Sequence, residues 1–204
     1  METDPAARPA ADNYRFLVSA VAPRPVAWVT TLDPASGVVN AAPFSWYNAV
    51  CGDPPMVMLA IRDHDDGTQK DTLRNIRSSR EFVVNASVRG LADAIVASSA
   101  DYPADVSEVE ALCLATAPSR KVKPPRLAQS PVHLECRLDR ILQLGRGPFV
   151  NLILGEVVHY AADDAVLNAR GAVDPAKVTF LARMGGSEYA DTARFFTVKR
   201  PAQA

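Results

Sequence analysis

The sequence predicts a mainly β fold with short inserted helices, closed as a barrel. Short β-branched or alternating segments follow one another closely, turn clusters separate them, and only brief stretches show helical spacing. A parallel sheet with a full helix between successive strands does not fit that order.

The elements follow in turn. Residues 1 to 13 are rich in Pro and Ala and polar, so a loose N-terminal arm is expected, with residues 14 to 204 forming one domain. Val26 to Leu32 is β-branched and aromatic, and Pro23-Arg24-Pro25 stiffens its entrance. The cluster Asp33-Pro34-Ala35-Ser36-Gly37 predicts a turn, with a hairpin partner from Val38 onward. Met56 to Ile61 is an unbroken apolar run opened by Pro54-Pro55, as in a buried strand, and Glu81 to Ala86 reads as another. Leu91, Ala94 and Ile95 repeat at helical spacing, and a second short helix is expected near Val106 to Leu112. Residues 113 to 131 form a long proline-containing connection. Val132, Leu134, Cys136 and Leu138 then alternate with His133, Glu135, Arg137 and Asp139, a half-buried antiparallel pattern with the polar set outward. Gly145 to Pro148 turns the chain into Phe149 to Tyr160, with Gly155 as a bulge, and the tail is expected to hold short helical pieces.

Composition excludes several function classes. The chain has 204 residues, of which 48% are hydrophobic and 22% charged, enough for one domain with a core and no staple. Its 22 Lys and Arg nearly cancel 23 Asp and Glu, so no basic field attracts nucleic acid. The longest apolar run is the six residues Met56 to Ile61, far short of the about 20 that span a bilayer. Cys51, Cys113 and Cys136 form no Cys-x-x-Cys pair, and the start carries no targeting pattern, so a cytoplasmic protein is expected. His64, His133 and His159 are scattered, and no metal site is expected.

Two segments could carry chemistry. In Gly67-Thr68-Gln69-Lys70-Asp71-Thr72, Thr68 and Asp71 have capping-box spacing, which predicts a helix starting at about Gln69. First-turn amides, the Lys70 ammonium and the Thr72 hydroxyl could together receive a phosphate. On this pattern alone, an ordinary capped surface helix with a solvated lysine is the better reading. Asn40 to Asn48 packs Phe44, Ser45, Trp46, Tyr47 and two amides into nine residues, a mixture suited to a planar ring with polar edges. A plain barrel strand with Phe44 and Trp46 inward describes it equally well. Gly145-x-Gly147 lacks a third glycine and precedes a strand, so it is no dinucleotide fingerprint. Arg120, Lys121, Lys123 and Arg126 read as a solvated basic loop, Trp28 as core and His133 as exposed.

A resemblance adds to this reading. Pro23 to Thr31, Asn40 to Ser45, Asp53-Pro54-Pro55, Lys70-Asp71-Thr72 with Asn75-Ile76, and Glu81 to Asn85 occur in that order. Leu134-Glu135-Cys136, Gly155-Glu156-Val157 and Leu181 to Gly186 follow. The ordered set, over about residues 14 to 198, resembles the flavin reductase-like family of FMN-binding split barrels, especially its flavoredoxin-type branch.

The resemblance implies a split-barrel homodimer with FMN near the interface and NADH or NADPH as a transient electron donor. It places Lys70, Asp71 and Thr72 at the FMN phosphate, and Thr30, Thr31 and Asn40 by the ribityl chain or ring edge. Ser45, Trp46, Tyr47 and Asn48 would line the ring. Arg24 would approach the phosphate or ring, and Gly185, Gly186 and Tyr189 would close the pocket. The family's histidine near the flavin has only His133 as a counterpart, so no catalytic residue beyond it is proposed. Where the family often carries Ser, this chain has Cys51, a change that would remove a hydroxyl contact. The chemistry would be the flavin's, with the protein supplying placement and electrostatics. Three readings follow: a flavin reductase serving free flavin or a partner oxygenase, a non-enzymatic FMN electron carrier, and a barrel that has lost flavin.

Overall fold

The computed structural model describes residues 2–199 and 201; Met1 of the expected arm and the end of the expected domain, Arg200 and residues 202–204, lie outside the described residues. Helix α1 spans Ala10–Ala20, so the boundary expected after residue 13 falls inside a helix. Pro9 takes the N-cap position, and Tyr14, Val18 and Val21 repeat along one side at spacings of four and three.

Seven antiparallel strands make the main sheet: β2 (Ala27–Leu32), β3 (Val39–Phe44), β4 (Tyr47–Gly52), β5 (Pro55–Arg62), β6 (Glu81–Ala86), β9 (Val132–Leu144) and β10 (Val150–Ala162). Their order is β3-β2-β6-β9-β10-β5-β4. Strand β3 packs against β5, next to the opposite edge of the sheet, so the sheet curls on itself. The fold is the split barrel expected. A second sheet joins β1 (Arg24–Pro25), β11 (Leu181–Arg183) and β12 (Tyr189–Asp191). The tail carries a short 3₁₀ helix at Asp164–Val166, as expected, and beyond it this hairpin. A small ladder pairs β7 (Thr116–Ala117) with β8 (Arg126–Leu127), and the helices are α2 (Asp71–Ser79), α3 (Ala92–Ala97) and α4 (Glu108–Ala111).

Strand β2 is buried on both faces, and the alternation of its side chains defines two cores. Ala27 and Val29 join Leu59, Phe82, Cys136 and Ile153 inside the barrel, where α2 adds Leu73 and Ile76. Val26 and Trp28 face the other way, against Ile95, Val109 and Leu127 from α3, α4 and β8. Trp28 is core, as its position on a strand suggests, and its indole donates to Ser98 at 2.9 Å. Gly155 lies at an irregularity between β10 and β9, and a β-carbon there would sit 2.4 Å from the ring of Phe82.

The strand from Val132 departs from its pattern. Its polar set does not all face solvent: His133 and Glu135 are buried along with Cys136. The connection over residues 113–131 folds down over this face. The Glu135 carboxylate accepts three hydrogen bonds of 2.6–3.0 Å from the amides of Arg120 and Lys121, while Glu81 takes the Lys123 amide at 2.8 Å. Arg120, Lys121 and Lys123 remain exposed, as expected of a solvated basic loop.

Candidate functional site

The start of α2 is built differently from the capping box expected. Asp66 captures Thr68 instead, accepting from its amide at 2.8 Å and its hydroxyl at 2.6 Å, which holds the Asp66 carboxyl below its usual range. Asp71 pairs with Arg74 at 2.6 Å along the helix. The helix therefore starts at Asp71, with Lys70 at the N-cap position and no side chain capping its first turn. Those first-turn amides stay available to an anion.

A cleft of about 170 Å³ opens at this helix start, lined by Asn40, Phe44, Lys70, Asp71, Thr72 and Glu108 among others. It shares the lining residues Pro43 and Ser99 with a wider groove of about 720 Å³, so the two lie side by side. Arg24, Ser45, Gly185, Gly186 and Tyr189 line the wide groove, beside Tyr14 and Arg15 of α1. Arg183 lies over the Tyr189 ring, 4.5 Å from its centre.

The other anticipated contacts divide. Thr30 and Thr31 are fully buried behind β3: Thr30 donates to the Pro125 carbonyl at 2.6 Å, and Thr31 lies between Asn40 and Asn75. Their side chains do not line the groove, because the 113–131 connection and α2 cover this strand. Arg24 lines the groove, yet its guanidinium donates to the carbonyls of Val18, Val21 and Met184, so it clips the end of α1 to the tail hairpin instead of facing an anion. Burial lowers its pKa from the ordinary value.

The Asn40 to Asn48 segment is not one continuous strand. It bends at Ser45 and Trp46, which sends neighbouring side chains to different places. Trp46 is exposed and reaches a separate cavity with Tyr14, Asp63 and Lys70. Tyr47 turns into an apolar cavity of about 430 Å³ with Pro23, Leu134 and Phe180, where burial, with the Cys136 thiol a smaller cause, pushes its phenol up to about 12. Asn48 is exposed and accepts from the next amide, Ala49, at 2.9 Å. Cys51 is exposed on β4, its thiol directed at the Asp53 carbonyl.

His133 is also not at the groove. Its Nδ1 lies 2.9 Å from Asn85 Oδ1, which accepts from the Leu127 amide while the Asn85 amide group donates to Trp28 and Thr30. That polarity places a proton on Nδ1. Burial, then nearby Arg126, lowers its pKa to about 4. The folded value lies below the unfolded one, so the unfolded chain binds the extra proton between about pH 6.5 and 4. Stability should fall as pH drops through that window. In His133→Asn the fall in urea midpoint between pH 7 and pH 5 should shrink; an equal fall in both proteins would show that His133 does not cause it.

Residues 19–177 match the family described as the flavin reductase-like domain. The chain belongs to that family. A relative, the Halalkalibacterium halodurans protein BH2278, is 40% identical, with 98% of this chain and 97% of that protein aligned. Among solved structures, nitrilotriacetate monooxygenase component B from Bacillus cereus is 30% identical with a TM-score of 0.92, over 97% of this chain and 98% of that one. Flavoredoxin of Desulfovibrio vulgaris (Miyazaki F) shares the fold at TM-score 0.75 and 21% identity, over 97% of each chain.

The sequence did not point to several groove residues, Tyr14, Arg15, Ser99 and Arg183 among them, nor to Glu108 in the cleft. Tyr14 and Val18 at i and i+4 were the available signal for α1. The rest come together only through long-range contacts.

Proposed function

We propose that this chain is an FMN-binding oxidoreductase of the flavin reductase type, moving hydride or electrons between NAD(P)H and flavin. The observation that carries the reading is the adjacency of the cleft at the α2 start to the wide groove, which share Pro43 and Ser99, since a flavin has a phosphate at one end and a ring at the other. The combined space is of the size of small-molecule sites, roughly 300–1,000 Å³. The residues present fit the group: α2 offers uncapped amides, and Lys70 has no ion pair among the described residues.

In this reading Lys70 and the amides of Asp71 and Thr72 hold the phosphate. Pro43 and Ser45 border the ring, and the Gly185 to Tyr189 hairpin closes over it. Bound FMN supplies the hydride- and electron-accepting chemistry. NADH or NADPH enters the same groove transiently, beside the flavin.

Strand β4 is an exposed sheet edge, Val50 on it is exposed, and Tyr47 opens onto an apolar cavity; these features support a homodimer formed across that side. Likeness to a monooxygenase component B supports delivery of reduced flavin to a partner oxygenase, with an electron carrier as the other acceptor class. A cytoplasmic location fits the reducing donor. No helix among the described residues is long and apolar enough to cross a membrane.

The test is turnover. FMN-supplemented protein should oxidise NADH or NADPH with added flavin as acceptor, and light scattering should give twice the chain mass of 21.9 kDa. Absence of oxidation with either nucleotide would defeat the reductase reading.

A further inference from the structure

The cleft at the start of α2 contains a carboxylate with no role so far. Glu108 is 5% exposed at the first position of α4, and both its oxygens are engaged. Oε1 accepts from Asn40 Nδ2 at 2.7 Å, and Oε2 accepts from the Ala41 amide at 3.0 Å. Asn40 must then turn its oxygen the opposite way. That oxygen accepts from the hydroxyls of Thr72 at 2.7 Å and Thr31 at 3.3 Å, while Thr31 accepts from Asn75 Nδ2 at 3.1 Å.

A hydroxyl carries one proton. Thr72 uses its proton on Asn40, so its oxygen presents only lone pairs to the cleft. Phosphate oxygens are acceptors as well, and two acceptors make no hydrogen bond.

We propose that Glu108 is a positioning residue that limits the grip on flavin phosphate: by fixing Asn40 it turns the Thr72 proton away from the cleft. The phosphate is then held by Lys70 and main-chain amides without the Thr72 hydroxyl. The proposal rests on the FMN reading above. The other charged or titratable groups at the cleft are His64, Lys70, Asp71, Asp101 and Tyr102, and Asp71 is already paired with Arg74.

Glu108→Gln reverses the network at constant size. The Ala41 amide still needs an acceptor, so the new side chain gives it the oxygen and turns its amide group toward Asn40. Asn40 then rotates to present Oδ1 to Gln and Nδ2 to Thr72. The Thr72 oxygen becomes the acceptor, and its proton is released to the cleft. Loss of a negative charge would also favour phosphate, and Thr72→Val separates the two effects.

The experiment measures dissociation constants for FMN and for riboflavin by flavin-fluorescence titration. The full chain is compared with Thr72→Val, Glu108→Gln and the double variant. The ratio of the two constants isolates the phosphate contribution, which a general structural effect would not move. Thr72→Val alone should leave the ratio within about twofold of the parent. Glu108→Gln should raise the preference for FMN by about tenfold or more, the scale of one charge-assisted hydrogen bond with the lost negative charge added, and the double variant should keep only the smaller part due to charge.

A large drop in preference on Thr72→Val alone would overturn the proposal, as would a Glu108→Gln gain that survives Thr72→Val undiminished, or no gain. If Glu108→Gln fails to fold by circular dichroism, Thr72→Val in the parent still decides. If the parent binds no FMN, the FMN reading itself fails and the role of Glu108 falls with it.

Discussion

Replacing Lys70 with alanine is expected to weaken FMN binding by tenfold or more while leaving riboflavin affinity nearly unchanged. Lys70 sits at the N-cap position of α2, half-buried, between the cleft of Asn40 and Thr72 and the cavity of Trp46. Among the described residues it is the one full positive charge lining that cleft. With Thr72 turned inward, the ammonium and the helix amides carry the phosphate between them. A hydrogen bond to a charged group is worth about 1.5–3 kcal/mol, and 1.4 kcal/mol is already tenfold in affinity. Titration of both flavins into the two proteins checks this. Equal FMN constants would remove Lys70 from the phosphate site, and equal losses for FMN and riboflavin would mean that Lys70 shapes the cleft without touching phosphate.

Gly155→Ala is expected to destabilise the fold by about 1–3 kcal/mol, the usual cost of overpacking a dense core. The added β-carbon would lie 2.4 Å from Phe82 Cζ and 2.8 Å from Cε1, well inside van der Waals contact. Phe82 is fully buried at the centre of the barrel, so its ring has little room to withdraw. Each kcal/mol should lower the melting temperature by about 2–4 °C in a chain of this size. Phe82→Leu removes the clashing ring atoms and leaves a cavity of its own. The double variant should therefore be less destabilised than the sum of the single ones. Strict additivity would show that the two residues do not press on each other.

The strands were legible because period and turn chemistry are local. Val26 to Leu32, Glu81 to Ala86 and the Asp33 to Gly37 turn stand close to where their side chains predict. What covers each face was not legible. Alternation from Val132 separates two faces, but only the folded 113–131 connection buries His133 and Glu135, and it is non-local. Thr30 and Thr31 are lost to the site for the same reason. The capping box failed through local competition, since Asp66 reaches Thr68 first. In the site, the Lys70 to Thr72 helix start and Ser45 were readable as polar punctuation beside apolar runs. The groove was not, because Tyr14, Ser99 and Arg183 meet across most of the chain.

The central claim is that this barrel holds FMN as a hydride acceptor for a nicotinamide nucleotide. Its most direct test is anaerobic absorbance spectroscopy of the FMN-loaded full chain during titration with NADH and then NADPH. The account predicts oxidised-flavin bands that stay with the protein through desalting and bleach on addition of one of the two nucleotides. Bands that persist through both additions, or a protein that emerges colourless after incubation with FMN, would contradict it.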